Sequence, residues 1–512
     1  MSRPSAYSQP TINDPAGYPN GEWNTQRAKY AEYWRHFDGY WLDETIGDTA
    51  ELRYPLQMNP FNMTCMLHSA FLFGEVKDGN DPLVTTVVEA WGGDEKANSN
   101  LTAKLSDLVN RVWHENDGRS LQTENGIISQ VLGGCVFGVG YDPARKARNG
   151  YLPVRIDTTM PEYFFPVYEA NGYYDLLEAF VRFQINQRQA IGSYGVKTEL
   201  AQPWYQEYWS RDEYEITVGE QTIKWLNQEA KGSTIGSFVP YTYIPHIRVG
   251  EFWGISLLER SFGMAREIND RYADLGDTLA ENARQLPFLI NSRKQAVKRL
   301  STGVAFIDLG TQAPGIDSPN VIWPQNNQAN ESSVKWAENL LVQARTEKYT
   351  PPAVYGMDTG SQRSQLSLAI SMIPLLVHIR QERSFWTPGL NQVARQIAII
   401  LAEKTDLVTR EEIQRLKFRQ EWAPVLPRDT EALANEIILR LNSGLIAPET
   451  ALEKLGDIRD IKTEMNLIKK WMEEKAELES AGKPDPFAGA GMNGTQAQRP
   501  NPKEPQANIT KE

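Results

Sequence analysis

The run GISLLERSFGMAREINDRYADLGDTLAENARQL, from Gly254 to Leu286, decides how the rest of this chain is read. Leu258, Phe262, Ala265, Ile268, Tyr272, Leu275, Leu279, Ala283 and Leu286 recur at steps of three and four, the spacing of one continuous apolar stripe on a helix. No proline interrupts the stripe before Pro287. At 1.5 Å per residue, a helix from Ile255 to Leu286 runs roughly 45 to 50 Å, longer than most helices of a compact domain. Its other faces carry Glu259, Arg260, Arg266, Glu267, Asp270, Arg271, Asp274, Asp277, Glu281 and Arg284, a mixed-sign surface suited to solvent or to a like helix. Two arrangements satisfy such a stripe: a shaft whose seam is covered by neighbouring copies, or a two-helix hairpin inside one globular domain.

Downstream, short strand-like runs at Phe288–Ile290, Gly303–Leu309 and Val321–Trp323 alternate with Pro and Gly, and a basic cluster sits at Arg293, Lys294, Lys298 and Arg299. Strands this short make no independent core, so pairing with copies of themselves in adjacent subunits is expected. Residues 326–348 return as a helix through Val334, Ala337, Leu340, Leu341 and Ala344. The loop YTPPAVYGMDTGSQRS, Tyr349 to Ser364, holds two prolines and two glycines and is expected to lack regular structure. A helix over 366–404 is expected to kink at Pro374 and break at Pro388-Gly389. Further helices are expected at 409–416, 430–442, 447–455 and 461–479, before a Pro/Gly/Ala/Gln/Asn-rich tail that cannot bury enough surface to order itself.

Upstream, residues 22 to about 136 read as mostly helical, with aromatic positions Tyr30, Tyr33, Trp34, Phe37, Tyr40 and Trp41 and a stripe at Leu101, Leu105, Leu108, Val109, Val112 and Trp113. Alternating stretches at 151–156, 163–168, 177–185, 206–209, 213–218 and 222–226 predict short antiparallel strands joined by turns at Asn171-Gly172, Arg211-Asp212 and Gly219-Glu220. The fold class is therefore α+β and predominantly helical.

Composition narrows the function classes. The chain has 512 residues, 41% hydrophobic and 23% charged, enough for two to four globular domains. No run of 18 apolar residues suggests a membrane span, and the polar Pro/Gly/Ser/Asn-rich start, residues 1–24, reads as a disordered arm without signal-peptide character. Cys65 and Cys135 alone suggest buried thiols in a reducing compartment. A net charge of -12 disfavours tight nonspecific binding to DNA.

Catalytic patterns are missing from the sequence. The GGCVFGVG cluster, Gly133 to Gly140, has no following Lys-Ser or Lys-Thr, so close helix packing is expected there rather than phosphate binding. His36, His68, His114, His246 and His378 are scattered singly and read as structural or solvated, without metal-ligand spacing. There is no G-x-S-x-G or H-E-x-x-H. No catalytic, cofactor-binding or metal residue is nominated, and no cofactor is expected. The aromatics Trp204, Tyr205, Tyr208, Trp209 and Trp225 fit a strand core or interface, or a sugar-binding platform.

Several stretches then resemble the portal protein family of tailed bacteriophages. They are EFWGISLLER at Glu251–Arg260 leading into a long helix with Ile268-Asn269-Asp270, the Pro/Gly loop at Tyr349–Ser364, the run Trp386-Thr387-Pro388-Gly389-Leu390, LNSGLIAPET at Leu441–Thr450, and MPEYFFPVY at Met160–Tyr168. The likeness covers most of residues 25–480, in element order more than in residue identity.

The resemblance implies a portal fold with wing, stem, clip and crown: a disordered arm at 1–24, a wing at 25–250, a stem helix at 251–286, a clip at 287–325, and a returning stem helix at 326–348. It continues with a channel loop at 349–365, a kinked wing or tunnel helix at 366–404, a helical crown at 405–479 and a disordered tail at 480–512. It implies a homo-oligomeric ring of about twelve subunits at the capsid vertex of a virion, assembled in the host cytoplasm. The partners it implies are double-stranded DNA during packaging and ejection, terminase, a head–tail adaptor, and capsid and scaffolding proteins, with no membrane. Such a subunit is not an enzyme; the packaging ATPase is a separate protein. In this reading Asp358, Gly360, Ser361, Gln362, Arg363 and Ser364 face DNA in the channel, the alternative being a surface helix connection. Arg293, Lys294, Lys298 and Arg299 meet DNA, the motor or an adaptor, or form a solvated face. The rival class is a hydrolase, carbohydrate-active in its simplest form, built on the Trp-rich α+β region.

Overall fold

The computed structural model describes residues 20–39, 58–74, 82–91, 95–145, 150–169, 172–225, 228–283, 288–290, 298–299, 305–308, 320–322, 329–356, 367, 370–426, 430–455 and 461–480. The chain is mixed α and β and divides into two units, Met1–Leu426 and Pro427–Glu512.

Four helices open the first unit: α1 (Asn20–Asp38), α2 (Asn62–Phe73), α3 (Glu95–Glu115) and α4 (Gly118–Leu132). Between α2 and α3 lies β1 (Val84–Ala90), a strand inside a region whose sequence reads as helical. Helix α4 ends at Gly133, whose φ of +81 allows a left-handed cap with its N–H on Ser129 O. GCVFGVGY then forms β2 (Gly134–Tyr141), not a helix-packing segment. Its first six residues are all buried because it is the middle strand between β3 (Val154–Thr159) and β12 (Tyr241–Pro245), antiparallel to both.

The predicted meander is present. Strands β4 (Phe164–Glu169), β5 (Gly172–Gln184), β6 (Trp204–Ser210), β7 (Glu213–Val218) and β11 (Lys231–Ser233) lie in the order β11-β7-β6-β5-β4, with β8 (Gln221–Thr222) on β7. The two-residue strands β9 (Lys224–Trp225) and β10 (Gln228–Glu229) pair with each other. Ile185, Ala190, Val196, Tyr205, Ile216 and Val218 form a small second core, with Ala190 supplied by α5 (Gln187–Tyr194). A reciprocal capping box between Asn186 and Gln189 starts that helix.

The decisive helix is shorter than its stripe. Helix α6 spans Phe262–Ala283, about 33 Å at 1.5 Å per residue. Residues 255–261 stay non-helical because their polar groups are engaged elsewhere: Ile255 N donates to Ile247 O (2.8 Å), Leu257 N to Gln130 O (3.0 Å) and Ser256 Oγ to Val131 O (2.6 Å). Just upstream, Phe252 stacks on Tyr168 and Tyr243, with ring centroids at 4.3 and 4.9 Å, and pins the turn to the body.

Helix α7 (Ala329–Glu347) runs antiparallel to α6. The register shows it: Lys348 Nζ donates to Glu259 O (2.8 Å), while Arg271 lies over the Trp336 ring at 5.1 Å. Ala265 and Ile268 are fully buried in the main core and Leu275 is half-buried. The upper part of the seam is thus covered by the chain itself, while the Leu279 side chain lies outside the described residues.

Between α6 and α7, β13 (Phe288–Ile290), β14 (Lys298–Arg299), β15 (Ala305–Asp308) and β16 (Asn320–Ile322) form one sheet in the order β14-β15-β13-β16. This corrects the expectation that these strands pair with other copies: β13 joins β15 in parallel and β16 antiparallel within the same chain.

Asn269 locks α6 to the segment before α2. Its Oδ1 accepts from Met58 N at 2.7 Å, and its Nδ2 donates to Met58 O at 2.8 Å. Asn269→Ala is expected to cost about 1 to 3 kcal/mol in urea unfolding, since it strands both backbone groups of Met58. An unchanged midpoint would show that the clamp contributes nothing.

Of the two proline expectations for α8 (Ile373–Lys404), the interruption at Pro374 is seen and the break at Pro388-Gly389 is corrected. Residues 367, 370 and 371 are helical and residue 372 is a turn, so the helical run is interrupted just ahead of Pro374, which then stands in the first turn of α8, where no intrahelical N–H is needed. Pro388 sits inside the helix without ending it, and Thr387 Oγ1 donates to Arg383 O (2.7 Å) in the preceding turn. At Gly389 a Cβ would lie 2.5 Å from the Ile244 side chain, so glycine there lets β12 press onto the helix.

The region read as the start of a helical crown, from 405, belongs to the first unit. Only α9 (Arg410–Gln414) is helical there; Leu416–Trp422 is a strand, β17, paired antiparallel with β1 along its whole length. LKFRQEW alternates, and Leu416, Phe418 and Gln420 point inward.

The second unit contains α10 (Thr430–Asn442), α11 (Pro448–Leu455) and α12 (Ile461–Ser480), close to the expected helices. Gly444, φ +70, turns the chain between the first two, and Ile437 and Ala451 are buried. Among the described residues no helix is long and apolar enough to cross a membrane. Cys65 and Cys135 are unpaired and buried.

Candidate channel segments and a buried histidine centre

The loop after α7 is only partly described. Tyr349 has φ +56, Pro352–Tyr355 forms a 3-10 turn where no regular structure was expected, and Gly356 closes it at φ +69. This first half is fastened to α2: Tyr355 Oη and Thr64 Oγ1 lie 2.8 Å apart, and Thr350 Oγ1 meets His68 Nε2 at 3.0 Å. Arg345 covers the Tyr355 ring at 4.1 Å. Asp358, Gly360, Ser361, Gln362, Arg363 and Ser364 lie outside the described residues, as do Arg293 and Lys294. Lys298 and Arg299 form β14, the edge strand of the small sheet, with their side chains outside the described set.

Of the aromatics considered for a sugar platform, Trp204, Tyr205, Tyr208 and Trp209 are engaged with their neighbours, and the Trp225 side chain lies outside the described residues. Trp209 stacks on Tyr214 at 4.6 Å and donates from Nε1 to Glu207 (2.8 Å), and Arg182 lies over Trp204 at 4.4 Å. A cleft of about 950 Å3 includes Arg111, Arg145 and Arg155 in its lining. Each is already occupied: Arg111 pairs with Glu115 (2.7 Å), Arg155 with Asp157 (2.5 Å), and Arg145 donates to Asn116 Oδ1 (2.6 Å).

The most concentrated chemistry lies where the sequence suggests none. Three of the five histidines, read as isolated, converge in the main core: His68 from α2, His246 just after β12 and His378 from α8. The His378 ring centroid lies 5.1 Å from that of His68 and 5.2 Å from that of His246, and Tyr349 stacks on His378 at 4.5 Å. Glu382, one turn beyond His378 on α8, is fully buried beside them. Its Oε2 lies 3.8 Å from His246 Nε2, and its Oε1 accepts from Gln130 Nε2 at 2.5 Å.

Burial sets the charge states. It lowers His246 to about 4, His68 to about 3 and His378 to about 2, the last two further depressed by neighbouring histidines. Burial raises Glu382 to about 8, against the opposing effects of Gln130 and Arg383. The imidazoles are therefore neutral near pH 7, leaving ring nitrogens with lone pairs. His246 Nδ1 is 2.8 Å from Ile255 O, which places the proton on Nδ1 and the lone pair on Nε2, facing Glu382. Donor atoms of His246, His378 and Glu382 all lie within 4.8 Å of one another, so these three residues can act as one ligand set. The only local signal in the sequence is the i,i+4 spacing of His378 and Glu382, which puts them on one face of a helix.

No protein-family model matches this sequence, and no curated protein matches it at a significant level.

Proposed function

We propose that this chain is the subunit of a portal ring of a tailed-phage capsid, a non-enzymatic conduit for double-stranded DNA that docks terminase and a head–tail connector. The observation that carries the reading is the antiparallel pair α6 and α7 joined through its own four-stranded sheet. The tethered loop, the long helix α8 and a separate C-terminal helical unit follow in order. This is the succession that the resemblance implies for stem, clip, channel loop, tunnel helix and crown. On α7, Trp336 is 44% and Val342 40% exposed, apolar surface that a neighbouring copy would cover in a ring. Closed cyclic symmetry also gives every subunit the same two neighbours and leaves no open edge.

Native mass spectrometry tests the reading. The expected result is a closed ring of about twelve copies of the 58.0 kDa chain, with a central opening in negative-stain images. A protein that stays monomeric or dimeric at micromolar concentration, without ring-shaped particles, would defeat it.

A further inference from the structure

We propose that His246, His378 and Glu382 form a binding site for a divalent transition-metal ion of the zinc class, set inside the main core of the first unit. Two imidazoles and a carboxylate are a donor set that zinc accepts, and three protein ligands leave a fourth position open. All three residues are at least nine-tenths buried: His246 and His378 are each 2% exposed and Glu382 0%.

Their inward atoms have no other use. His246 Nε2, Glu382 Oε2 and both ring nitrogens of His378 lack hydrogen-bond partners, a costly arrangement in a core. The His246 and Glu382 atoms face each other at 3.8 Å, too far for a hydrogen bond between them. That separation is close to the roughly 3.4 Å between two ligands that are each about 2.05 Å from a tetrahedral ion. No donor pair exceeds 4.8 Å, so a contraction of at most about 1.4 Å, within reach of side-chain rotation, brings the set to coordination distance.

The outer shell is built as well. The Ile255 carbonyl orients His246 through Nδ1, and Gln130 holds the second oxygen of Glu382. Second partners of this kind fix tautomer and orientation in metal sites. Tyr349 stacks on His378 and fixes its ring plane. The His68 ring, 5.1 Å from His378 and with Nδ1 unpartnered, is the nearest further imidazole for the fourth position. The ligands come from the end of β12 and from α8, so the ion would cross-link two elements far apart in sequence. The proposal stands apart from the ring reading, because metal content can be measured in any oligomeric state.

The test uses the full chain, purified without chelator from cultures supplemented with zinc and, separately, with cobalt. About one zinc per chain is expected by elemental mass spectrometry, and the cobalt-grown protein is expected to show the intense visible absorption of four-coordinate Co2+. Glu382→Gln keeps the acceptor for Gln130 but removes the anionic ligand; His378→Phe keeps a ring against Tyr349 but removes both nitrogens. Each is expected to lower metal content at least tenfold. Wild-type protein with only background metal and no cobalt absorption overturns the proposal, whether or not the variants fold. So does wild-type metal content in both variants.

Discussion

Gly254→Ala is expected to cost on the order of 3 kcal/mol in urea unfolding and to reduce the yield of folded protein sharply. The added Cβ would lie 1.9 Å from Gly133 O, 3.0 Å from His246 N and 3.0 Å from the Pro245 Cβ. The first of these obstacles is a backbone atom, which no change of rotamer can move aside. Gly133 is constrained in return, since a Cβ there would stand 2.3 Å from Gly254 O. Around this crossing of two chain segments, His246 N donates to Gly133 O (2.8 Å) and Gly254 N donates to Tyr243 Oη (2.9 Å). Separating the segments to admit a methyl group strains both bonds and shifts His246. Gly140→Ala in β2 as the control, with open space around its Cβ position, is expected to stay within about 0.5 kcal/mol of wild type. Equal midpoints for the two alanine variants would mean that the crossing tolerates expansion.

Trp386→Ala should be nearly as damaging, at about 3 to 5 kcal/mol. The indole is fully buried on α8, edge-on to Phe73 of α2 at 5.6 Å and to Phe137 of β2 at 6.3 Å. It therefore fills the junction between a helix, another helix and the central sheet. Truncation removes the apolar area and leaves a cavity that three rigid elements cannot close together. Trp386→Phe provides the comparison: it keeps a ring against Phe73 and Phe137, and the lost indole N–H has no hydrogen-bond partner to abandon. Its expected loss is less than half that of the alanine variant. Comparable losses would mean that a ring kept against Phe73 and Phe137 does not hold the junction, and would overturn the cavity account.

Local patterns made much of this fold legible. Glu213–Val218 and Phe288–Ile290 form strands at the predicted residues, and Thr430–Asn442 forms a helix at the predicted ends. In each case periodicity and nearby turn residues point to the same element. The start of α6 was not legible from the stripe, because Leu258 fits the helical spacing while its N–H is held by the Ser256 side chain and that of Leu257 by Gln130 of α4. The β1–β17 ladder was missed for a different reason. LKFRQEW does alternate, but its charged residues also suit a helix surface, and its partner is more than 300 residues away. The histidine centre shows the limit most directly: His68, His246 and His378 come from separate elements, and only His378 with Glu382 left a mark at short range.

The pairing of Val84–Ala90 with Leu416–Trp422 also orders events during synthesis. At about 5 to 20 residues per second, the ribosome reaches the second strand tens of seconds after the first. Throughout that interval the earlier strand has an unsatisfied hydrogen-bonding edge, exposed to chaperones and to other nascent chains. The first unit can finish folding only once translation has passed residue 422, so a truncated product ending sooner would carry a permanently open seam and be prone to clump.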